Sequence, residues 1–289
     1  MHLLNWRQNR TLSGGEIPLQ TIHGDSCEGF VIERIRSAAR TGVGGSAGDS
    51  EGMLPQGALQ TADATICYEF HPFYEVGGDF LDFFTLTDGV IGIYLGDVTG
   101  KGLPAALYAA LAVGTLRGVH KTGTPPAAVL STLNRRVMLR GVSSPRYAAV
   151  QYACFDSRTG ILRISSAGME GPVILSARGC RELELRGIPP GMFPATAYES
   201  ETVQLERGDS VIFLSDGFSE SQNDAGEFFG MERVREVCEL SREDSPEEIL
   251  LRLSEAVGSY SRGRPQQDDR TAAVLRYLPN CEMPAERKE

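Results

Sequence analysis

The sequence predicts an α+β protein in which helices lie outside antiparallel sheets. Most predicted strands follow one another as hairpins, and the predicted helices form two pairs, one in the middle of the chain and one near its end. Helices that are grouped apart from antiparallel strands pack on the outer faces of the sheets. Parallel β-α-β winding is disfavoured because strands here follow strands.

The strands are predicted from runs of β-branched and aromatic residues that are bounded by turn residues. They cover Thr65–Phe70, Phe80–Leu86, Val90–Leu95, Tyr147–Phe155, Ile161–Ser166, Val173–Leu175, Glu182–Leu185, Val203–Leu205, Val211–Leu214 and Thr271–Tyr277.

Four helices are predicted from caps and periodicity. The first opens at Leu103-Pro104, where proline suits the first turn, and it is apolar nearly all round, which predicts burial against a sheet. The second, Pro126–Leu139, carries apolar residues at four-residue spacing. The third lies near Met231–Leu240, and the fourth starts at an S-x-x-E capping box, residues 245–248, and runs to about Val257.

The composition fits a chain that folds around a full core. The 289 residues are 41% hydrophobic and 23% charged, both ordinary values for a globular protein. The formal net charge of −10 argues against a nucleic-acid partner, because an acidic surface repels phosphates at long range. Any phosphate chemistry therefore depends on local cations, and metal ions meet that requirement.

The cysteine pattern and the absence of targeting signals predict a cytoplasmic protein. The six cysteines form no C-x-x-C pair and have no histidine at zinc spacing, so we expect reduced thiols. The longest apolar, uncharged run is Gly102–Leu116, shorter than the ~20 residues that a membrane-spanning helix needs. The N-terminal segment MHLLNWRQNR lacks the order of a secretory signal.

Composition divides the chain into three parts: an extension at residues 1–52, a folded domain at residues 53–278 and a charged tail at residues 279–289. The extension holds one predicted basic helix at residues 28–40, followed by the flexible linker TGVGGSAGDSEG. Three interpretations of the helix stay open: the end of an upstream regulatory element, a surface helix, or disorder. Its pairing across a homodimer is equally open.

The first predicted hairpin sets two aspartates opposite each other. A three-residue turn centred on Asp88, with Gly89 at positive φ, places Asp79 opposite Asp97, with Cβ atoms about 4.5–5.5 Å apart. A shared proton, a basic residue or a cation must relieve the repulsion, and Mg²⁺ and Mn²⁺ favour such oxygen ligands. Alternatively, a shifted register leaves both aspartates at solvated strand ends, and the hairpin alone does not decide.

Three further aspartates share this placement beside strands. Asp216 ends an apolar strand, and Asp268 and Asp269 precede the last one. Carboxylates that converge from distant strand ends build two-metal sites that hydrolyse phosphate esters. Taken singly, each of these aspartates also suits an ordinary turn.

Two other catalytic classes are disfavoured. The segment GDVTGKG at residues 96–102 lacks the spacing of a nucleotide-binding phosphate loop and has no hydroxyl residue after Lys101. No G-x-S-x-G nucleophile motif is present, which argues against a Ser/His/Asp hydrolase.

Four segments occur in the order and spacing of a known family: EVGGDFLDFF, LGDVTGKGLPAAL, LSDGFSESQNDAGEFFG and QQDDRTAAVL. Together they resemble the metal-dependent PPM (protein phosphatase 2C-like) serine/threonine phosphatases, specifically the bacterial SpoIIE/RsbU-like branch. The similarity covers roughly residues 53–278, and four ordered motifs are more specific than any single one. It implies a four-layer α-β-β-α sandwich of two packed antiparallel sheets flanked by helices.

The resemblance also implies a catalytic site with two ions, Mn²⁺ or Mg²⁺, at one end of the sheets. Asp97 would bridge both ions, and the carbonyl of Val98 would bind one of them. Asp216 and Asp268 would bind the other, and Asp79 would hold a metal or its water. The metals would lower the pKa of a bridging water, and the resulting hydroxide would attack phosphorus in line. Supporting positions are expected at Asp82, Asp269 and Lys101.

The expected substrate in this branch is a phosphoserine or phosphothreonine on a small STAS-type anti-sigma-antagonist, so the resemblance implies sigma-factor regulation with a sensor or activator protein upstream. A pseudophosphatase that only binds a phosphoprotein is the alternative, and an anti-sigma ATPase is disfavoured because the nucleotide loop is missing. The sequence departs from many relatives at Met169, where they carry histidine, and it shows no clear counterpart of the phosphate-holding arginine of some eukaryotic relatives.

Overall fold

The structure is a computed structural model that describes residues 54–55, 57–87, 89–119, 123–139, 146–262 and 264–278. The predicted helix at residues 28–40, the linker after it and the tail at residues 279–289 lie outside the described residues. The described strands are β1 (Leu59–Gln60), β2 (Ala64–His71), β3 (Phe80–Thr87), β4 (Val90–Val98), β5 (Ala148–Asp156), β6 (Ile161–Ala167), β7 (Val173–Ser176), β8 (Gly179–Glu182), β9 (Glu201–Gln204), β10 (Ser210–Leu214) and β11 (Arg270–Tyr277). The described helices are α1 (Leu103–Arg117), α2 (Pro126–Leu139), α3 (Asp216–Ser219), α4 (Gly230–Leu240) and α5 (Pro246–Ser261).

The strands form two sheets in which every described pairing is antiparallel. One sheet has the order β1-β2-β11-β10-β7-β8, and the other has the order β3-β4-β5-β6-β9. Helices α1 and α2 pack on the five-stranded sheet, and α4 and α5 pack on the six-stranded sheet. This is the four-layer α-β-β-α sandwich that the sequence predicts.

Three apolar cores hold the four layers together. The core between the sheets contains Ile66 and Phe213 from one sheet and Leu81 and Phe155 from the other. A second core lies between the five-stranded sheet and helices α1 and α2, and a third lies between the six-stranded sheet and helices α4 and α5. Alternate residues of a central strand therefore face different cores, as the twofold period of a strand requires.

The register of the β3–β4 hairpin agrees with the prediction. Phe80 pairs with Gly96 in an unbroken ladder that reaches Thr85. The turn is one residue shorter than predicted, because a register shift after Thr85 pairs Thr87 with Val90. A Cβ atom on Gly96 would lie 2.1 Å from Cζ of Phe80, so only glycine fits beneath this ring.

Two boundary predictions need correction, and two short elements were not predicted. The strand predicted at Glu182–Leu185 is wrong, because β8 begins at Gly179 and ends at Glu182. A two-residue turn after Ser176 connects β7 to β8, and Ser176 pairs with Gly179. Helix α5 continues one turn past Val257. The two-residue β1 and the four-residue α3 were not predicted, because elements this short carry no readable periodicity.

Helix α1 is buried against the five-stranded sheet, as predicted, but only on one face. Ala105, Ala109 and Leu116 are fully buried, whereas Leu103 and Leu107 are 63% and 64% exposed. The small inner residues let the helix approach the sheet closely. Among the described residues, no helix combines the length and apolar character needed to cross a membrane.

The capping box at the start of α5 provides a test of the fold. The Ser245 hydroxyl accepts the Glu248 backbone N–H at 3.3 Å, and the Glu248 carboxylate accepts the Ser245 N–H at 2.8 Å. We expect Ser245→Ala to lower the free energy of unfolding by about 1 kcal/mol, because the Glu248 backbone N–H loses its hydroxyl acceptor and the capping box is broken. Urea denaturation monitored by circular dichroism measures it. Ser259→Ala, an exposed position on the same helix, is the matched control and should change stability by less than about 0.5 kcal/mol.

Candidate active site

Asp79 and Asp97 meet at the open end of the β3–β4 hairpin. They occupy the positions next to the Phe80–Gly96 pair, and their carboxyl groups lie close enough for the charge of Asp97 to act on Asp79. Asp79 is only 4% exposed, so the alternative of two solvated strand ends is wrong. Two buried carboxyl groups this close repel each other, so the pair needs a proton, a basic residue or a cation to relieve the repulsion.

The pKa values of this pair are raised by burial and by neighbouring charge. Burial, followed by the charge of Asp97, raises the pKa of Asp79 well above its usual value. Burial raises the pKa of Asp97 to about 6, and the charges of Asp268 and Asp269 add to this effect. The ammonium group of Lys101 opposes it. The aspartates from three distant parts of the sequence therefore lie close enough to repel one another.

Asp216 joins this group from the six-stranded sheet. Strand β10 ends at Leu214, Ser215 follows in extended conformation, and Asp216 is the first residue of the one-turn helix α3. Partial burial, followed by the charges of Asp97 and Glu220, raises the pKa of Asp216 to about 7. The residue also keeps an exposed surface, so its carboxyl group is open to a ligand.

Asp268 is held at the edge of the cluster by Lys101. The Lys101 ammonium group lies 2.7 Å from a carboxylate oxygen of Asp268, donates to the Gln267 carbonyl and stands 4.8 Å from the ring centroid of Phe73. Both side chains of the ion pair are partly exposed, at 39% and 44%. An ion pair this exposed contributes little stability and exchanges readily with other partners.

Asp269 has a larger role than its sequence position suggests. Its buried carboxylate accepts backbone N–H groups from Phe73 at 2.7 Å, Gly78 at 2.6 Å and Asp79 at 3.3 Å. A Cβ atom on Gly77 would lie 2.3 Å from this carboxylate, so the loop closes around it only with glycine there. Asp269 therefore fixes the loop that presents Asp79, and the Gly-Gly pair before Asp79 was the available signal.

Ser215 and Thr271 hold the Asp79 carboxylate and were missed in the sequence. The Thr271 hydroxyl donates to Asp79 at 2.5 Å, and the Ser215 hydroxyl lies near enough to lower the pKa of Asp79 against the effect of burial. Ser215 accepts the Thr271 backbone N–H at 3.0 Å, which ties β10 to β11 at this point. Both residues adjoin motif aspartates, in S-D-G and D-D-x-T, and this adjacency is the signal that could have identified them.

Two other positions lie outside the cluster. Asp82 accepts the Tyr94 hydroxyl at 3.1 Å and pairs with Arg117 at 3.0 Å on the helix-facing side of the sheet, so the structure does not bring it to the site. Met169 packs against the core between the sheets instead of facing the cluster.

The donor atoms fit a hard divalent metal in kind. A Cβ atom on Gly78 would lie 2.9 Å from the Val98 carbonyl oxygen and 3.5 Å from Oδ1 of Asp97, so the glycine leaves space beside both oxygens. Carboxylate and carbonyl oxygens are the ligands that Mg²⁺ and Mn²⁺ prefer. Within the described ranges no three acidic, cysteine or histidine side chains already surround one point at ligand distance. The cluster therefore supplies suitable donors, while Lys101 and Thr271 hold two of its carboxylates.

A family model described as Stage II sporulation protein E (SpoIIE) matches residues 87–278. The chain belongs to the SpoIIE family. The matched span includes Asp97, Asp216 and Asp268, whereas Asp79 precedes it.

Two curated proteins are similar in sequence to this chain. The chain is 27% identical over 207 residues to the phosphoserine phosphatase RsbU of Bacillus subtilis, covering 71% of this chain and 61% of RsbU. It is 25% identical over 233 residues to protein IcfG of Synechocystis, covering 71% of this chain and 37% of IcfG. The chain thus spans between two fifths and three fifths of the length of these relatives.

The PP2C phosphatase domain of SpoIIE from Bacillus subtilis has the same fold. The two structures superpose with a TM-score of 0.67 at 19% identity, over 76% of this chain and 65% of the solved one. The resemblance of the four motifs to the SpoIIE/RsbU-like phosphatases is thereby confirmed at the level of family and fold.

The raised pKa values predict how stability depends on pH without metal. Asp97 and Asp216 hold protons in the folded protein up to about pH 6 and 7, whereas unfolded aspartates lose them near 3.8. Over this window the folded state binds more protons, so the free energy of unfolding falls as the pH rises. We expect a loss of about 1–2 kcal/mol between pH 5.5 and 8 in EDTA, after allowing for solvent screening.

Urea denaturation at both pH values measures this loss. Asp216→Asn should reduce the pH dependence, whereas Asp224→Asn, an exposed aspartate in the polar loop, should leave it intact. A stability that rises with pH over the same window in EDTA would contradict the mutual repulsion of the cluster.

Proposed function

We propose that this chain is a metal-dependent protein serine/threonine phosphatase that hydrolyses phosphoserine or phosphothreonine on a regulatory protein. The observation that carries the proposal is the convergence of Asp79, Asp97, Asp216 and Asp268 from both sheets at one end of a PP2C-type sandwich. Burial, with added repulsion between the carboxylates, raises the pKa values of Asp79, Asp97 and Asp216. Such a cluster is ready to bind cations, and local cations are what an acidic protein needs for phosphate chemistry.

Two Mn²⁺ or Mg²⁺ ions fit the donor set. Asp97 would contact both ions, the Val98 carbonyl would hold one, Asp216 and Asp268 would hold the other, and Asp79 would hold a metal or its water. When bound, the ions neutralise phosphoryl oxygens and supply a water acidic enough to act as the nucleophile.

The chain's own residues position this cluster. Thr271 donates to Asp79 and fixes the rotation of its carboxyl group, and Ser215 holds the Thr271 backbone N–H in place. Asp269 anchors the loop before Asp79 through three backbone N–H groups. Lys101 is the ammonium group at the rim, and its exposed ion pair with Asp268 leaves it able to turn toward a substrate phosphate. Preorganised groups of this kind act on the developing charge of the transition state without reorganising.

The substrate proposal is a phosphorylated STAS-type protein in sigma-factor regulation, with a sensor or activator protein as the switch. Support comes from membership of the SpoIIE family and from the relative RsbU, which is named a phosphoserine phosphatase. A cytoplasmic location and a homodimer are compatible proposals. No observation favours a pseudophosphatase, because every acidic position of the four motifs is filled.

Hydrolysis of p-nitrophenyl phosphate with and without Mn²⁺ tests the activity. We expect turnover only with the metal, and a loss of at least about 100-fold in kcat for Asp97→Asn and for Asp216→Asn, because each removes charge that must neutralise or hold the cations. Asp224→Asn is the matched control with the same chemical change at an exposed loop position, and it should retain wild-type kcat.

Calorimetric titration of Mn²⁺ separates the possible failures. A folded wild-type protein that binds Mn²⁺ but hydrolyses neither the aryl phosphate nor a phosphoserine peptide would favour the pseudophosphatase. Turnover that survives EDTA or both aspartate substitutions would refute the metal-dependent mechanism.

A further inference from the structure

A cavity of about 230 Å³ borders the candidate active site. Gly217, which follows Asp216, and Asp268 both line it. The remaining walls come from the loop after α3, the C-terminal end of α5 and the segment 264–268. A substrate held at the carboxylate cluster therefore has this cavity directly beside it.

The lining is unusually rich in cations for so acidic a chain. It contains Lys101, Arg264 and Arg270 against Glu220 and Asp268. Lys101 and Asp268 form an ion pair, so they largely neutralise each other. Two guanidinium groups then face a single remaining carboxylate, in a protein whose formal net charge is −10.

Arg264 is held by neutral acceptors. Its Nη1 group donates to Oε1 of Gln222 at 2.9 Å and to the Asn223 carbonyl at 3.1 Å. Its Nε and Nη2 groups make no hydrogen bond to a described residue, and no described carboxylate pairs with it. The side chain is thus fixed by one nitrogen while its other donors stay open to an anion.

Arg270 lies deeper and also forms no ion pair with a described carboxylate. Its side chain crosses Gly217, where a Cβ atom would lie 3.1 Å from Cγ of Arg270, and its Nη2 group donates to Oε1 of Gln266 at 3.0 Å. Its Nε–H is buried without an acceptor among the described residues. Burial lowers the pKa of Arg270, and the charge of Glu69 opposes this shift without a direct ion pair. A buried cation without a counter-charge is costly, and an incoming anion would offset that cost.

We propose that this cavity is a subsite for an acidic side chain, aspartate or glutamate, that flanks the target phosphoserine of the substrate. An extended peptide spans at most about 3.6 Å per residue, so a side chain within about three positions of the phosphoserine reaches it. The planar guanidinium suits a carboxylate because it donates two parallel hydrogen bonds. The subsite rests on the proposed function, since it is defined by a phosphoprotein bound at the carboxylate cluster.

Matched phosphoserine peptides test the subsite. Peptides with glutamate, glutamine or lysine placed in turn at each of three positions on either side of the phosphoserine are compared by kcat/KM in Mn²⁺, with p-nitrophenyl phosphate as the reference. We expect at least one position where glutamate exceeds glutamine about 10-fold, mainly through KM, because a charge-assisted hydrogen bond is worth roughly one such factor. Lysine should fall below glutamine there.

Arg264→Gln should bring the glutamate-to-glutamine ratio close to one, and Arg270→Lys, which keeps the charge but loses the planar fork, should reduce it partly. Arg181→Gln removes the same charge from the exposed edge strand β8 and should leave the ratio unchanged. Equal rates for glutamate and glutamine at every position, or a ratio that survives Arg264→Gln, would overturn the subsite.

The two proposals fail in distinguishable ways. Absence of turnover for the aryl phosphate and for all peptides would refute the phosphatase, and the dissociation constants of the same fluorescent peptides by anisotropy would then decide the subsite. Tighter binding of a glutamate peptide that Arg264→Gln abolishes would support it. Equal binding of glutamate and glutamine peptides would overturn it.

Discussion

Negative charge concentrated at one end of the sandwich is the constraint on which the rest of the structure depends. Burial raises the pKa values of Asp79, Asp97 and Asp216, and repulsion between these carboxylates and Asp268 adds to this effect. The fold offsets the repulsion with the Thr271 hydroxyl donor on Asp79 and the Lys101 ammonium group on Asp268. Each of these partners is weaker than a divalent cation at the same place, so the cluster is kept assembled without being fully neutralised.

The two-sheet architecture is what brings these carboxylates together. Asp97 belongs to a central strand of the five-stranded sheet, whereas Asp216 and Asp268 flank β10 and β11, which are central in the other sheet. The site therefore forms only when the sheets pack in one relative position, which the core between them fixes. Asp269 also fixes the site through long-range hydrogen bonds, because its partners Phe73 and Gly78 lie more than 190 residues away in the sequence. The packing of the two sheets therefore determines the geometry of the site.

Local patterns in the sequence predicted the helices, the strands and the hairpin register. The features that were missed depend on residues that only the folded structure brings together. The alternation of β3 and β4 and the positive φ of Gly89 were readable, so the placement of Asp79 beside Asp97 followed from the sequence. The β7–β8 turn was misplaced because residues 177 and 178 carry no strong turn signal. The anchoring role of Asp269 and the pairing of Lys101 with Asp268 depend on segments far apart in the chain, and no local pattern specifies them.

Lys101 borders both the carboxylate cluster and the cavity. Its charge bears on how an acidic protein would accept the acidic substrate proposed above. Its ion pair with Asp268 is exposed on both sides, and such pairs contribute about 0–1 kcal/mol, so a cation at Asp268 displaces Lys101 at little cost. Lys101 lines the same cavity as Arg264 and Arg270, so an ammonium group released from Asp268 would add to the positive charge there. Long-range steering still disfavours acidic partners of a chain with a charge of −10, so selectivity has to arise from contacts within a few ångströms of the site. A cation bound at Asp268 would raise the positive charge beside the cavity, so the proposed metal loading and the proposed substrate recognition would be coupled without a movement of the backbone.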